Sequence, residues 1–307
     1  MAYTRCDDTG TAFYFSNKDF PGLHQKPFSF YATAGHLLQG YLYYYDHPIP
    51  HRIIIFEHGF GGGHRSYMKE IERLCRAHYL VFAYDHTGCM TSGGHDTNGM
   101  AQSLCDLNDC IHALQSNSQL KPLDISVVGH SWGGFSTLNI PLVHPEISKI
   151  VVLSGFISVP SLIDSYFGGI LKGFRKPILE IEEKANPVFV KYNAIESLAK
   201  SNVEALLIYS DNDTLCKKEA HYNPLYRHLS AKKNIHFYLV HHKGHNPNYT
   251  EQAVKYLATY LSQKRKQMKR KLLETTEQKE KFVSSFDWNK MTAQDEEVWS
   301  LILNHLE

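Results

Sequence analysis

Six short runs of this chain are apolar almost without interruption and rich in β-branched residues: 52–57, 79–84, 125–128, 150–153, 205–209 and 235–240. A strand with one wet face alternates apolar and polar residues. Runs such as these are buried on both faces, as the strands of a parallel sheet are. Helical patterns lie between them. Residues 66–77 put Ile71, Leu74 and Cys75 on one face, and 98–115 reads as a long helix. Strands alternating with helices build right-handed βαβ crossovers. The expected fold class is therefore α/β, a mostly parallel sheet with helices on both faces. Residues 27–46 alternate around Ala34-Gly35 and read as an antiparallel hairpin ahead of that sheet.

The chain has 307 residues, enough for one large domain with an insertion. The gap between the fourth and fifth runs is too long for a single crossover helix. Residues 156–202 are therefore expected to form a cap. Within it Leu162, Ile163, Tyr166, Phe167, Ile170, Leu171 and Phe174 recur at helical spacing, which predicts one amphipathic helix over the sheet's edge. The expected division is a core of 1–155 and 203–262, the cap, and a charged helical extension over 263–307. The basic clusters 264–266 and 269–271 read as a solvated helix face rather than a patch for an anionic surface. A final helix is expected over 293–305, N-capped by Thr292. Its apolar face (Val298, Trp299, Ile302, Leu303, Leu306) must be covered by the domain or by a second copy. The second case would make a homodimer through this extension.

A formal net charge of +1 supplies no global field toward nucleic acid. No run approaches the roughly 18 apolar residues of a membrane span. The first residues have no apolar signal-like core, and the six cysteines contain no Cys-x-x-Cys pair. The expectation is a cytoplasmic protein with free thiols.

The run 125–128 leads straight into Gly129-His130-Ser131-Trp132-Gly133, with a helical segment after it. A nucleophile on so sharp a strand-to-helix turn needs tiny neighbours at minus two and plus two, which the glycines provide. A serine hydroxyl needs a base. After the last run, Lys243-Gly244-His245-Asn246 offers His245 in a loop, whereas His241 and His242 lie at the strand end. The three histidines have no acidic ligand nearby in sequence, so a metal is not expected. The histidine needs a carboxylate to hold its tautomer. The loop 210–214 offers Asp211 and Asp213, and Asp213 lies further in, better placed to reach His245. The amides of Trp132 and of Phe60, in the glycine-rich loop 58–63, are the candidate oxyanion donors.

Together these residues resemble the α/β-hydrolase superfamily over roughly 27–262, in particular its monoacylglycerol lipase-like and S33 aminopeptidase-like serine hydrolases. His58-Gly59-Phe60 is similar to the family's His-Gly-x oxyanion motif, and Gly244-His245-Asn246 to the pattern around its catalytic histidine. Ser210-Asp211-Asn212-Asp213 is similar to its Gly-x-x-Asp acid motif with Ser210 in place of glycine, a register that favours Asp213. Residues 85–94 resemble its Asp-x-x-Gly-x-Gly-x-Ser loop, with Met90 in place of a glycine. The resemblance implies cofactor-free hydrolysis of a small-molecule carboxylic ester by Ser131, His245 and Asp213. Ile163, Tyr166, Phe167 and Ile170 would line an acyl or aryl pocket. An aminopeptidase that holds its substrate's amine with Asp164, Glu180, Glu182 or Glu183, an acyltransferase, and a non-catalytic ligand-binding protein on the same fold are the alternatives.

Overall fold

A computed structural model describes residues 3–121 and 123–307. Eight strands form one sheet: β1 (His24–Pro27), β2 (Gly40–Tyr44), β3 (Arg52–Glu57), β4 (Leu80–Tyr84), β5 (Asp124–His130), β6 (Lys149–Leu153), β7 (Glu204–Ser210) and β8 (Ile235–Val240). Their order across the sheet is β1-β2-β4-β3-β5-β6-β7-β8. β3 to β8 run parallel, in registers such as Phe56 opposite Val128 and Val128 opposite Val151. β1 and β2 add antiparallel at one edge. The hairpin expected around Ala34-Gly35 is present only as the short pair Phe30–Tyr31 and Leu37–Leu38, and β2 pairs with β1 and β4 instead.

The continuously apolar runs split by parity between two cores. Ile53, Ile55, Val127, Ile150, Val152, Ala205 and Leu207 face one side. Ile54, Phe56, Val128, Val151, Leu153, Leu206 and Ile208 face the other. On the first side lie helices α2 (Gln102–Ser116) and α3 (Trp132–Asn139). On the second lies α1 (Met68–Arg76), through Met68, Ile71, Leu74 and Cys75. With both faces covered, the reactive geometry must sit at the strand ends, where the loops emerge.

The insertion is not one amphipathic helix. α4 (Val159–Tyr166) stops before Gly168-Gly169, where Gly169 has φ +55°. A 3-10 turn (Gly169–Phe174) follows, then α5 (Arg175–Ala185). The last helix of the insertion, α6 (Ala194–Lys200), buries Ala194 and Leu198 in the first core, so it flanks the sheet rather than capping it. α7 (Tyr222–Leu229) packs beside it.

The C-terminal stretch is not a separate extension. α8 (Glu251–Lys269) runs unbroken past residue 263. With α9 (Thr276–Ser284) and α10 (Trp288–Met291) it builds a small core of Tyr260, Leu273, Phe282 and Met291. The final helix, α11 (Glu296–Leu306), is N-capped by Asp295, whose carboxylate accepts the Glu297 and Val298 amides, not by Thr292. The Thr292 hydroxyl donates to the Trp288 carbonyl instead. α11 buries Val298, Trp299, Ile302 and Leu306 in the second core, against the protein's own sheet. The apolar face that suggested a homodimer is thus already covered. Among the described residues no helix is long and apolar enough to cross a membrane.

Candidate active site

β5 delivers Ser131 onto a turn with φ +56° and ψ −109°, a strained conformation for any residue but glycine. The strain persists because the flanks leave no alternative. A Cβ on Gly129 would strike the Thr137 side chain and the Gly133 carbonyl, and one on Gly133 would strike the Glu57 carbonyl. The Ser131 amide is tied to the Leu153 carbonyl at 2.9 Å.

Ser131 Oγ lies 2.7 Å from His245 Nε2, and His245 Nδ1 lies 2.8 Å from Asp213 Oδ2. Asp213 Oδ1 accepts the Leu215 and Cys216 amides at 2.8 and 3.0 Å. Burial alone would raise the Asp213 pKa, but His245 and these amides outweigh it and hold the carboxyl below the usual range. Asp211 takes the other route. It binds His241 Nδ1 at 2.7 Å and the His242 amide at 3.0 Å, away from Ser131. The acid loop also clamps the histidine loop. Asn212 Oδ1 accepts the Gly244 amide and Ser210 Oγ accepts the Lys243 amide. Ser210, where the family pattern has glycine, thus supplies a hydrogen bond.

Asp213, Cys216 and His245 are the one group of potential metal donors found close together among the described residues. Both Asp213 oxygens and both His245 nitrogens are already engaged within the protein. Burial pushes the Cys216 thiol well above its ordinary pKa. A metal held by His245 there would have to displace its hydrogen bond to Ser131 or to Asp213.

The glycine-rich loop 58–63, with the candidate oxyanion donor Phe60, is set by a buried histidine. The His86 amide donates to His58 Nε2 at 3.0 Å, so the neutral ring carries its proton on Nδ1 and donates to the Gly59 carbonyl at 2.8 Å. Burial, with His86 beside it, lowers the His58 pKa to about 3. In a trans peptide C=O and N–H point oppositely, so fixing the Gly59 carbonyl aims the Phe60 amide the other way. Among the described residues neither the Phe60 nor the Trp132 amide donates to a protein acceptor.

A second chain of hydrogen bonds, without a signal in the motifs beyond His130's place in the pentapeptide, joins three loops. The Gly59 amide donates to the Tyr67 hydroxyl at 3.0 Å. His130 Nε2 lies 2.8 Å from the His245 carbonyl, which can only accept, so the proton sits on Nε2. His130 Nδ1 then accepts from the Tyr67 hydroxyl at 2.8 Å. Burial foremost, and then His245, lower the His130 pKa to about 3, keeping this ring neutral. Tyr67 and His130 therefore link the glycine-rich loop 58–63, the Ser131 turn and the His245 loop.

Ser131 and His245 open into a cavity of 320 Å3. Its apolar wall is Met100, Trp132, Phe156, Leu162, Tyr166 and Leu215. Of the four pocket residues expected from the sequence, Tyr166 alone is there. Ile163 is buried in the first core and Phe167 packs against that core, while Ile170 is 98% exposed beyond the Gly168-Gly169 break. The helical period identified the cap but not which side of α4 faces inward, and Leu162 takes the place given to Ile163. The 85–94 loop keeps its turn despite Met90, which itself adopts φ +45° where glycine was expected. The Met90 amide donates to the Cys6 carbonyl at 2.8 Å, so the N-terminal strap holds that strain in place.

A family model described as the alpha/beta hydrolase fold matches residues 52–191. A putative carbamate hydrolase RutD of Serratia proteamaculans is 30% identical over 112 residues, 35% of this chain and 39% of that protein. The match therefore spans well under half of that relative's length. Among solved structures, the Pyrococcus furiosus esterase Pf2001 superposes with TM-score 0.60 at 20% identity, covering 84% of this chain and 96% of that one. An acetyl xylan esterase from Paenibacillus sp. R4 superposes with TM-score 0.58 at 16% identity, covering 76% and 82%. These likenesses establish the fold.

Proposed function

This chain has the fold of the α/β-hydrolase superfamily, and from that premise we propose that it is a serine hydrolase of carboxylic esters with an apolar acyl group. The observation that carries the reading is the unbroken line Asp213, His245, Ser131, at 2.8 and 2.7 Å, opening into an apolar cavity. His245 takes the Ser131 proton as Oγ attacks the ester carbon. The C=O electrons move onto oxygen, where the Phe60 and Trp132 amides receive them. Such donors are typically worth about 3–4 kcal/mol of transition-state stabilisation each. His245 then gives its proton to the departing alcohol, and water repeats the sequence on the acyl-enzyme. Asp213 stays ionised and holds the imidazolium.

The aminopeptidase alternative draws no support from the cap acids. Asp164 pairs with Arg175 and Glu180 with Lys176, while Glu182 accepts the Met100 amide. No carboxylate lines the cavity among the described residues. The test is labelling by a neutral fluorophosphonate followed by a 4-nitrophenyl ester chain-length series, with an aryl carbamate alongside. Label on the wild type that is lost in Ser131→Ala, and turnover of the esters, are expected. Labelling that survives Ser131→Ala overturns the assignment, and turnover of the carbamate alone would redirect the substrate class.

A further inference from the structure

A second cavity, of 390 Å3, adjoins the one that holds Ser131. Gly59, Phe60 and Tyr67 line both. His245 lines the first and its neighbour Asn246 the second. Most of the second cavity's remaining wall comes from outside the region matched by the family model. The N-terminal strap gives Asp8 and residues 12–15, α8 gives Leu257, Leu261 and Lys264, and Trp288 closes it.

The two cavities differ in charge. No Asp, Glu, Lys or Arg lines the first. The second has three cations, Arg65, Lys69 and Lys264, against one carboxyl, Asp8. Lys69 is occupied, with Nζ 4.6 Å above the Phe15 ring and bound to Asn289 Oδ1. Arg65 lies 5.7 Å over the Tyr14 ring and Lys264 5.8 Å over Tyr260. The ion pairs of lysine and arginine among the described residues include neither of them. Burial lowers the Lys264 pKa and raises that of Asp8, and the attraction between the two offsets part of each shift, which leaves Arg65 as the cation without a carboxylate facing it among the described residues. Two polar atoms at this cavity, Asp8 Oδ1 and the Tyr14 hydroxyl, are shielded from solvent without a partner among the described residues. A partly open, aromatic-walled space in which three cations face one carboxyl, with an unused hydroxyl beside them, suits an anion on an apolar body.

We propose that this cavity is the leaving-group compartment of the same active site, selecting esters whose alcohol part is aromatic or similarly apolar and carries an anionic group held by Lys264 and Arg65. The assignment rests on the hydrolase reading above. His245 hands its proton to the leaving oxygen, and the group attached to that oxygen passes Phe60 toward Asn246. The uncharged first cavity keeps the acyl chain.

The test compares 4-(butyryloxy)phenylacetate with its uncharged carboxamide, 4-(butyryloxy)phenylacetamide, in which the charge is insulated from the reacting bond. At low salt kcat/KM is expected to favour the anion by about fivefold, a preference that salt erodes. Lys264→Gln with Arg65→Gln should bring the ratio to about one, and Asp8→Asn should raise it by removing the competing charge. A ratio near one in the wild type, or one unmoved by the double variant, overturns the compartment while leaving the hydrolase reading intact. A preference that appears only when the anion is placed on the acyl chain overturns it as well. Should the butyryl group be a poor acyl, 4-hydroxyphenylacetate and its carboxamide can be compared as protectants of Ser131 against the neutral fluorophosphonate. Stronger protection by the anion supports the proposal, and equal protection overturns it. Absence of labelling altogether would count against the hydrolase reading instead.

Discussion

Two aspartates two residues apart illustrate what the local environment decides. Asp213 is 5% exposed and accepts two amides as well as His245, whereas Asp211 is turned outward to His241. Asp213→Asn is expected to lower kcat by about 10³–10⁴, because the amide cannot hold the imidazolium. Asp211→Asn should stay within about threefold of wild type, since it removes an exposed pair worth under about 1 kcal/mol. Ester hydrolysis by the two variants checks this, and the reverse pattern would exchange their roles. Tyr67→Phe keeps the ring and removes only the hydroxyl. The Gly59 amide and His130 Nδ1 then both lose their partner. A fall of about tenfold in kcat with KM within twofold is expected, since the loss falls on the aim of the oxyanion loop rather than on the cavity. A change confined to KM would place Tyr67 in substrate binding instead. Ser131, His245 and Asp213, which the structure brings within hydrogen-bond reach of one another, were legible in the sequence because each sits in a motif with its own spacing. Tyr67, eight residues beyond Gly59 in a 3-10 turn, carries no such spacing, and only the fold brings it to His130.

At the scale of elements, the buried strands were the most legible because a continuously apolar run has few other destinations. Their alternation between two cores follows from the pleat alone. The cap was less legible. A helical period says that an element has an apolar face, but Gly168-Gly169 splits this one, leaving Ile170 and Phe174 in solvent. Two contacts latch α4 to the acid loop: the Tyr166 hydroxyl donates to the Leu215 carbonyl at 3.1 Å, and Lys217 Nζ to the Ser165 carbonyl at 2.7 Å. Tyr166→Phe removes the first while keeping the cavity wall. One such bond is worth about 1 kcal/mol, so KM for a short-chain ester should rise about two- to fivefold with kcat little changed. Steady-state kinetics on 4-nitrophenyl butyrate reads this directly, and a fall in kcat alone would mean that the latch aims Asp213 rather than shaping the cavity.

For the whole molecule, the C-terminal stretch was the hardest to read, since its charge suggested an appendage while Trp299 and its neighbours complete the second core. What ties that stretch to the sheet includes a buried polar contact: Asn248 donates to Glu70 of α1 and to Gln294, just ahead of α11. Glu70 is 1% exposed, and burial pushes its pKa up to about 7 despite these donors. Its folded value thus exceeds the unfolded one, so the group's contribution is fully present below the unfolded pKa of about 4.5 and is lost as pH rises through about 7. Above that point the folded state must hold a buried carboxylate. His58 and His130, lowered to about 3, act in the opposite sense, costing stability as pH falls below about 6.5, so the raw pH profile mixes both. The difference between Glu70→Gln and wild type removes the histidines from the comparison. It isolates Glu70, because the glutamine does not titrate. Urea unfolding of both proteins should show the variant gaining roughly 2.5 kcal/mol relative to wild type between pH 5 and pH 8. A difference that does not vary with pH would mean that Glu70 is ionised across the whole range, and that the joint between α1 and the C-terminal helices is held by charge.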